Sequence, residues 1–153
     1  MDFSKLAEIR LKKDLTKREL AKILNVSKST YARWETTEQI IPLVHLNNFC
    51  EYFKVSMDYV LKIEETNKYN HYDYKKKIDK VKIGNNLKVL RKRNKLTQKD
   101  LAKLLNTSQS TISAYENGQT LVLTIFIYSV SKQFNVSLDK LCSRIKEKER
   151  VKI

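Results

Sequence analysis

The chain has 153 residues, enough for one ordinary domain or two very small ones. Its net charge of +14 suits a polyanion, nucleic acid first and an acidic membrane surface second; a solubilising Lys excess is the plainer reading. There is no run of about 20 apolar residues to span a bilayer, no signal-type h-region in MDFSKLAEIR and no CxxC around Cys50 or Cys142, so a membrane partner and a disulfide scaffold are excluded and a reducing, cytoplasmic location is expected.

The first helix is predicted over 3–13. Thr16 with Glu19 three residues later forms a capping box and opens a second helix over 17–24. Ser27 opens a third over 28–35. Pro42 fits the first turn of a fourth over 42–53, and a short fifth covers 57–61. Residues 62–82, KIEETNKYNHYDYKKKIDKVK, are polar and rich in Tyr and Lys. As a flexible linker they span about 25 Å r.m.s.; residues 72–82 are alternatively helical. The linker tyrosines either stack on bases or pack against a domain.

The pattern then begins again. Residues 15–35, LTKRELAKILNVSKSTYARWE, return 81 positions later as LTQKDLAKLLNTSQSTISAYE, and 6–61 aligns with 87–142 without a gap. Two copies are too few for a solenoid, so each is expected to have its own core. Thr97 with Asp100 and Ser108 repeat the caps. Asn117-Gly118 ends the third helix of copy two with a residue that tolerates positive φ. Copy one has Thr36-Thr37 there, so its exit is expected to differ. The run LVLTIFIY, 121–128, is more apolar than one core needs. A homodimer interface and packing under the linker or tail both remain open. The tail from residue 143 is a charged helix extension or disordered.

Within copy one, Leu20, Ala21 and Leu24 share a face, Asn25-Val26-Ser27 is a tight turn, and Tyr31 and Trp34 turn inward from the next helix. Lys28, Ser29, Ala32 and Arg33 are left outside. In copy two Leu101, Ala102, Leu105, Ile112 and Tyr115 lie inside and Gln109, Ser110, Ser113 and Ala114 outside. This is helix-turn-helix geometry.

On LTKRELAKILNVSKSTYARWE and LTQKDLAKLLNTSQSTISAYENG, with VSMDYVL and VSLDKLC closing each copy, the chain resembles the phage-repressor (Cro/cI-type) helix-turn-helix family. The resemblance implies an all-α chain of two tandem lambda-repressor-like five-helix DNA-binding domains. Their bounds are 1–64 and 83–143, with a basic linker at 65–82 and a charged tail at 144–153. It implies structural ion pairs between Arg10 and Glu35 and between Arg91 and Glu116. It also assigns DNA contacts. Thr16, Lys17, Thr97 and Gln98 would meet phosphate. Lys28, Ser29, Thr30 and Arg33, with Gln109, Ser110, Thr111 and Ser113, would enter the major groove. Gln109 suits adenine, and Arg33 or Lys28 suits guanine. The loops after the third helices, TTEQI and NGQTL, depart from the family in having no basic residue, and Glu38 would repel phosphate.

The implied function is a sequence-specific double-stranded DNA-binding transcriptional regulator, a repressor acting by operator occupancy. Duplication would multiply weak contacts through effective concentration. The alternative is a protein-binding regulator on the same scaffold, antitoxin-like or an inhibitor of a nucleic-acid enzyme. No enzyme, metal or cofactor is expected: His45 and His71 are isolated, and there is no Gly-rich phosphate loop or GxSxG. Charge divides unevenly. Residues 1–66 hold 11 Lys and Arg against 10 Asp and Glu, and residues 67–153 hold 20 against 7. Copy two with the linker is therefore expected to supply most of the non-specific affinity.

Overall fold

Capping residues set where the helices begin. In the computed structural model, which describes residues 1–71, 74 and 77–145, Thr16 Oγ1 accepts the Glu19 amide at 3.1 Å while the Glu19 carboxylate accepts the Thr16 amide at 2.7 Å. Thr97 and Asp100 make the same exchange at 3.0 and 2.8 Å, so the shorter Asp closes the box equally well. Copy one comprises α1 (Ser4–Lys12), α2 (Lys17–Ile23), α3 (Lys28–Glu35), α4 (Leu43–Phe53) and α5 (Met57–Val60). Copy two comprises α6 (Lys80–Arg93), α7 (Gln98–Leu104), α8 (Gln109–Glu116), α9 (Thr124–Phe134) and α10 (Leu138–Leu141). Among the described residues the fold is all-helical, apart from one isolated bridge between Tyr74 and Ile145.

Four local expectations change. Pro42 stands one residue before α4, in extended backbone, rather than in its first turn. The exit from α3 matches that from α8: Thr37 takes φ 64° where its repeat partner Gly118 takes 69°. A β-branched residue tolerates that region poorly, so copy one accepts the strain that glycine avoids in copy two. Asp79 caps α6 by accepting the Val81 and Lys82 amides, so residues 80–82 belong to α6 and not to the linker, and 77–79 are not helical. Finally, α6 begins five residues earlier in the repeat register than α1, and Gly84 lets it lie against the end of α8.

The two copies do not keep separate cores. Their buried side chains form one continuous cluster, from Phe3 and Leu6 through Met57 and Val60 to Leu138 and Cys142. The seam is built on α5 and α10. The Asp139 carboxylate accepts the Met57 and Asp58 amides at 3.0 and 2.9 Å. The Asp58 carboxylate accepts the Leu138 amide at 2.7 Å and the Ser137 hydroxyl. Each aspartate thus satisfies backbone donors at the start of the other copy's helix, donors that no helix can satisfy internally. Met57 and Leu138 are repeat partners, as are Asp58 and Asp139. The contact of 57 with the partner's 58 therefore occurs in both directions, the signature of a local two-fold axis.

Arg144 completes the seam. It is fully buried, and its guanidinium donates to Asn47 Oδ1 at 2.8 Å, to Glu51 Oε1 at 2.8 Å and to Asp139. The charged tail therefore starts later than expected, because Arg144 is an interior residue. Residues 146–153, the rest of that tail, lie outside the described residues. The run 121–128 is also used inside the chain. Thr124 donates to the Ile41 carbonyl at 2.7 Å across the seam. Val122 and Ile127 are buried, and Leu121, Phe126 and Tyr128 pack on the core. Within the run, Leu123 alone is exposed. Phe126 packs on Tyr115 of its own copy, with ring centroids 6.0 Å apart, so most of the run's apolar surface is at least half-buried within the chain. The start of the linker packs too. Asn67 accepts the Ser56 amide and donates to the Lys54 carbonyl, Tyr69 donates to Glu51, and Tyr69 stacks on Tyr74 at 4.4 Å. Tyr72 lies outside the described residues.

Burial, with the Asp139 carboxylate beside it, pushes Asp58 up to about 7 from an ordinary value of 3.8. The folded chain therefore holds a proton that the unfolded chain releases. The associated stabilisation is complete below pH 4 and is lost as pH rises through about 7. Chemical denaturation at several pH values between 5 and 8 should show stability falling with pH. Asp58→Asn should flatten that slope; an unchanged slope in the variant would place the titrating group elsewhere.

Candidate nucleic-acid interface

In each copy the second and third helices are joined by a turn around Asn25 or Asn106, both at positive φ. Ala21 and Ala102 are buried at the crossing, where a small side chain admits close approach. Tyr31 and Trp34 are buried in copy one, Ile112 and Tyr115 in copy two. The opposite faces of α3 and α8 therefore point outward. Lys28, Ser29 and Arg33 are exposed on α3, with Thr30 half-buried; Gln109 and Ser110 are exposed on α8, with Thr111 and Ser113 half-buried.

A buried ion pair holds each of α3 and α8 in place. Arg10 Nε meets Glu35 at 2.7 Å and Arg91 Nε meets Glu116 at 2.5 Å; the same guanidiniums donate to the carbonyls of Leu15 and Leu96. The third partner differs between the copies. Glu35 accepts the Tyr31 hydroxyl at 2.7 Å, whereas copy two has Ile112 there and Glu116 accepts Gln98 Nε2 at 2.9 Å instead. Burial pushes the Glu116 carboxyl up, but the hydrogen bonds from Arg91 and Gln98 outweigh it and hold the group below the ordinary range.

The expected phosphate contacts are partly engaged already. The amides of Thr16 and Thr97 are committed to Glu19 and Asp100, which leaves their hydroxyl protons to meet a phosphate. Gln98 is turned inward to Glu116, and Lys17 stands 3.9 Å from Glu35. Ser29 and Thr30 both approach the Ser27 cap, as Ser110 and Thr111 approach Ser108. Ser113 accepts from Asn117. Arg33 is 4.0 Å from Glu38 on an open surface, a contact too weak and too screened to restrain it.

Five basic positions join this face beyond the expected contacts. Arg18 and Lys22 line shallow clefts with Thr16, Lys17 and Lys28, and so extend the basic face from α3 onto α2. Their four-residue spacing on one helix was the available signal. Lys99 and Lys103 are their repeat partners and are exposed. The fifth is Lys80. Its ammonium donates to the Gln119 carbonyl at 3.3 Å, and Val81 lies against Gly118. The loop after α8 has no basic residue of its own, yet α6 delivers one to it.

Among the described residues no three His, Cys, Asp or Glu side chains gather as a metal site. Both thiols are buried, and burial pushes Cys50 up to about 12 and Cys142 higher still, which makes them poor nucleophiles. His45 packs on Trp34, ring to ring at 5.1 Å. No described helix is long and apolar enough to cross a membrane.

The helix-turn-helix family model matches residues 6–60 and again 87–141, so the chain belongs to this Cro/cI-type helix-turn-helix family in two tandem copies. This is a DNA-binding transcription-regulator family. Antitoxin PezA of Streptococcus pneumoniae serotype 4 is 44% identical over 55 residues, which cover 36% of this chain and 35% of that protein. The chain thus spans about a third of that relative's length. Among solved structures, the restriction-modification controller protein C.AhdI from Aeromonas hydrophila is 29% identical with a TM-score of 0.38, covering 40% of this chain and 94% of its own. A transcriptional regulator from Listeria innocua is 26% identical with a TM-score of 0.40, covering 44% and 64%.

Proposed function

We propose that the chain is a sequence-specific double-stranded DNA-binding regulator, cytoplasmic and acting as a repressor by operator occupancy. One reading unit falls in residues 1–64. The other falls in 83–143, extended to take in the start of α6 and Arg144. The observation that carries this reading is the pair of outward faces on α3 and α8, held at the same register by matching buried ion pairs. Lys28 and Arg33 offer guanine-type donors, and Gln109 offers the paired donor and acceptor that adenine matches. Thr16, Lys17, Thr97 and Gln98, with Ser29, Thr30, Ser110, Thr111 and Ser113, serve as positioning contacts to phosphate or base edges. Arg18, Lys22, Lys99, Lys103 and Lys80 add phosphate contacts.

Arg33→Ala and Gln109→Ala should each weaken binding to a selected duplex by about 1–3 kcal/mol and relax preference at one base pair. Fluorescence anisotropy on the selected duplex and its single-base variants checks this. Equal affinity of both variants and the parent chain for every duplex would sink base reading by these helices. A second reading, a regulator whose partner is a protein, is favoured by the likeness to a protein named as an antitoxin. It gains if Lys28 and Arg33 prove necessary for a protein complex and dispensable for DNA.

A further inference from the structure

We propose that a single chain occupies an imperfect inverted repeat, copy one on one half-site and copy two on the other in the opposite orientation. The proposal rests on the DNA-reading function above and specifies the kind of site it takes. A duplicated reader has two ways to meet a duplex. Units strung on a free linker, or stacked head to tail, repeat by translation and suit a direct repeat. Units related by a two-fold axis suit an inverted repeat, because the duplex itself has two-fold symmetry between its strands.

The seam in this chain is of the second kind. The Asp139 carboxylate takes the Met57 amide, and the Asp58 carboxylate takes the amide of Leu138, the repeat partner of Met57. A head-to-tail contact would join one surface of copy one to a different surface of copy two. Here the same short helix is used from both sides. Buried Arg144 ties the seam to α4 through Asn47 and Glu51, and Thr124 ties it to Ile41. The seam also consumes the α5 and α10 surfaces inside one chain, so one chain suffices for both half-sites.

The halves are not alike. Lys28, Ala32 and Arg33 correspond to Gln109, Ser113 and Ala114. Copy one therefore presents two cations where copy two presents an amide and a hydroxyl, and the two half-sites should differ in base preference.

Selection of the full chain on a random duplex library, followed by binding to redesigned duplexes, tests the proposal. The enriched site should hold two unlike half-sites in opposite orientation, bound one chain per duplex in sedimentation. Reversing one half-site in place should weaken binding by about tenfold or more, the loss of one good base contact. The triple variant Q109K/S113A/A114R gives copy two the outward face of copy one, and its selected site should become a true palindrome. Half-sites in the same orientation, equal binding after reversal, or two chains on one site would overturn the inverted arrangement and leave DNA reading standing. Absence of any enriched site would overturn both.

Discussion

Arg144→Met should destabilise the chain by about 3–5 kcal/mol, the cost of leaving a buried ionic partner unpaired. The guanidinium is fully buried against Asp139, Glu51 and Asn47, and Asp139 also interacts with Asp58. Without it, the Asp139 and Glu51 carboxylates lose the cation that bridges them. Methionine fills much of the stem's volume, so the loss isolates charge rather than packing. The loss should also be smaller at pH 5 than at pH 8, because protonation relieves carboxylates that have lost their partner. Denaturant titration at both pH values measures this. A cost under about 1 kcal/mol at pH 8, within the range of an exposed pair, would mean that the seam is not formed in solution.

Gly84→Ala should cost about 3 kcal/mol, the upper end for forcing atoms into a filled site. A Cβ at Gly84 would stand 1.9 Å from the Tyr115 carbonyl oxygen, and that neighbour is backbone of α8, not a side chain that can swing away. Alanine's better helix propensity returns only about 1 kcal/mol. The strain should also reach α8: α6 must withdraw from it, and on the proposed function specific binding falls along with stability. Asn85→Ala, one residue on and exposed, is the control and should be near neutral. Equal melting of the two variants would remove the close approach of α6 to α8.

Much of this was legible in the sequence, for physical reasons that can be named. Helix starts follow from short-range chemistry. Thr16 with Glu19, Thr97 with Asp100, Ser27 and Ser108 each satisfy donors within three residues, so the pattern is local and readable. The Arg–Glu pairs were placed by the family resemblance, which carries onto both copies. The seam could not. Asp58 and Asp139 read as ordinary helix-start acids, and their partners lie about 80 residues away. Arg144 sits among lysines and glutamates, and nothing in its neighbours distinguishes an interior arginine from a solvated one. The apolar excess of 121–128 was visible, but composition alone does not say which surface an apolar run packs on. Thr37 misled for a related reason: tertiary packing imposes a backbone angle that its side chain disfavours.

The basic face was partly visible. Outward positions on α3 and α8 follow from helical spacing. Lys80 at the loop after α8 does not, because it arrives from a helix 39 positions away. Its placement, with Lys99 and Lys103, agrees with the excess of positive charge in the second half of the chain.

Salt titration of the full chain on a selected duplex and on a random duplex of equal length tests the central claim most directly. Sequence reading predicts at least about 10³-fold tighter binding to the selected duplex at physiological salt. Both affinities should fall linearly in log–log form, by about 0.9 for each phosphate neutralised. Lys80→Ala should lower the slope on both duplexes by about 1 and leave their ratio unchanged. Equal affinity for the two duplexes at every salt concentration would contradict sequence-specific recognition by this chain.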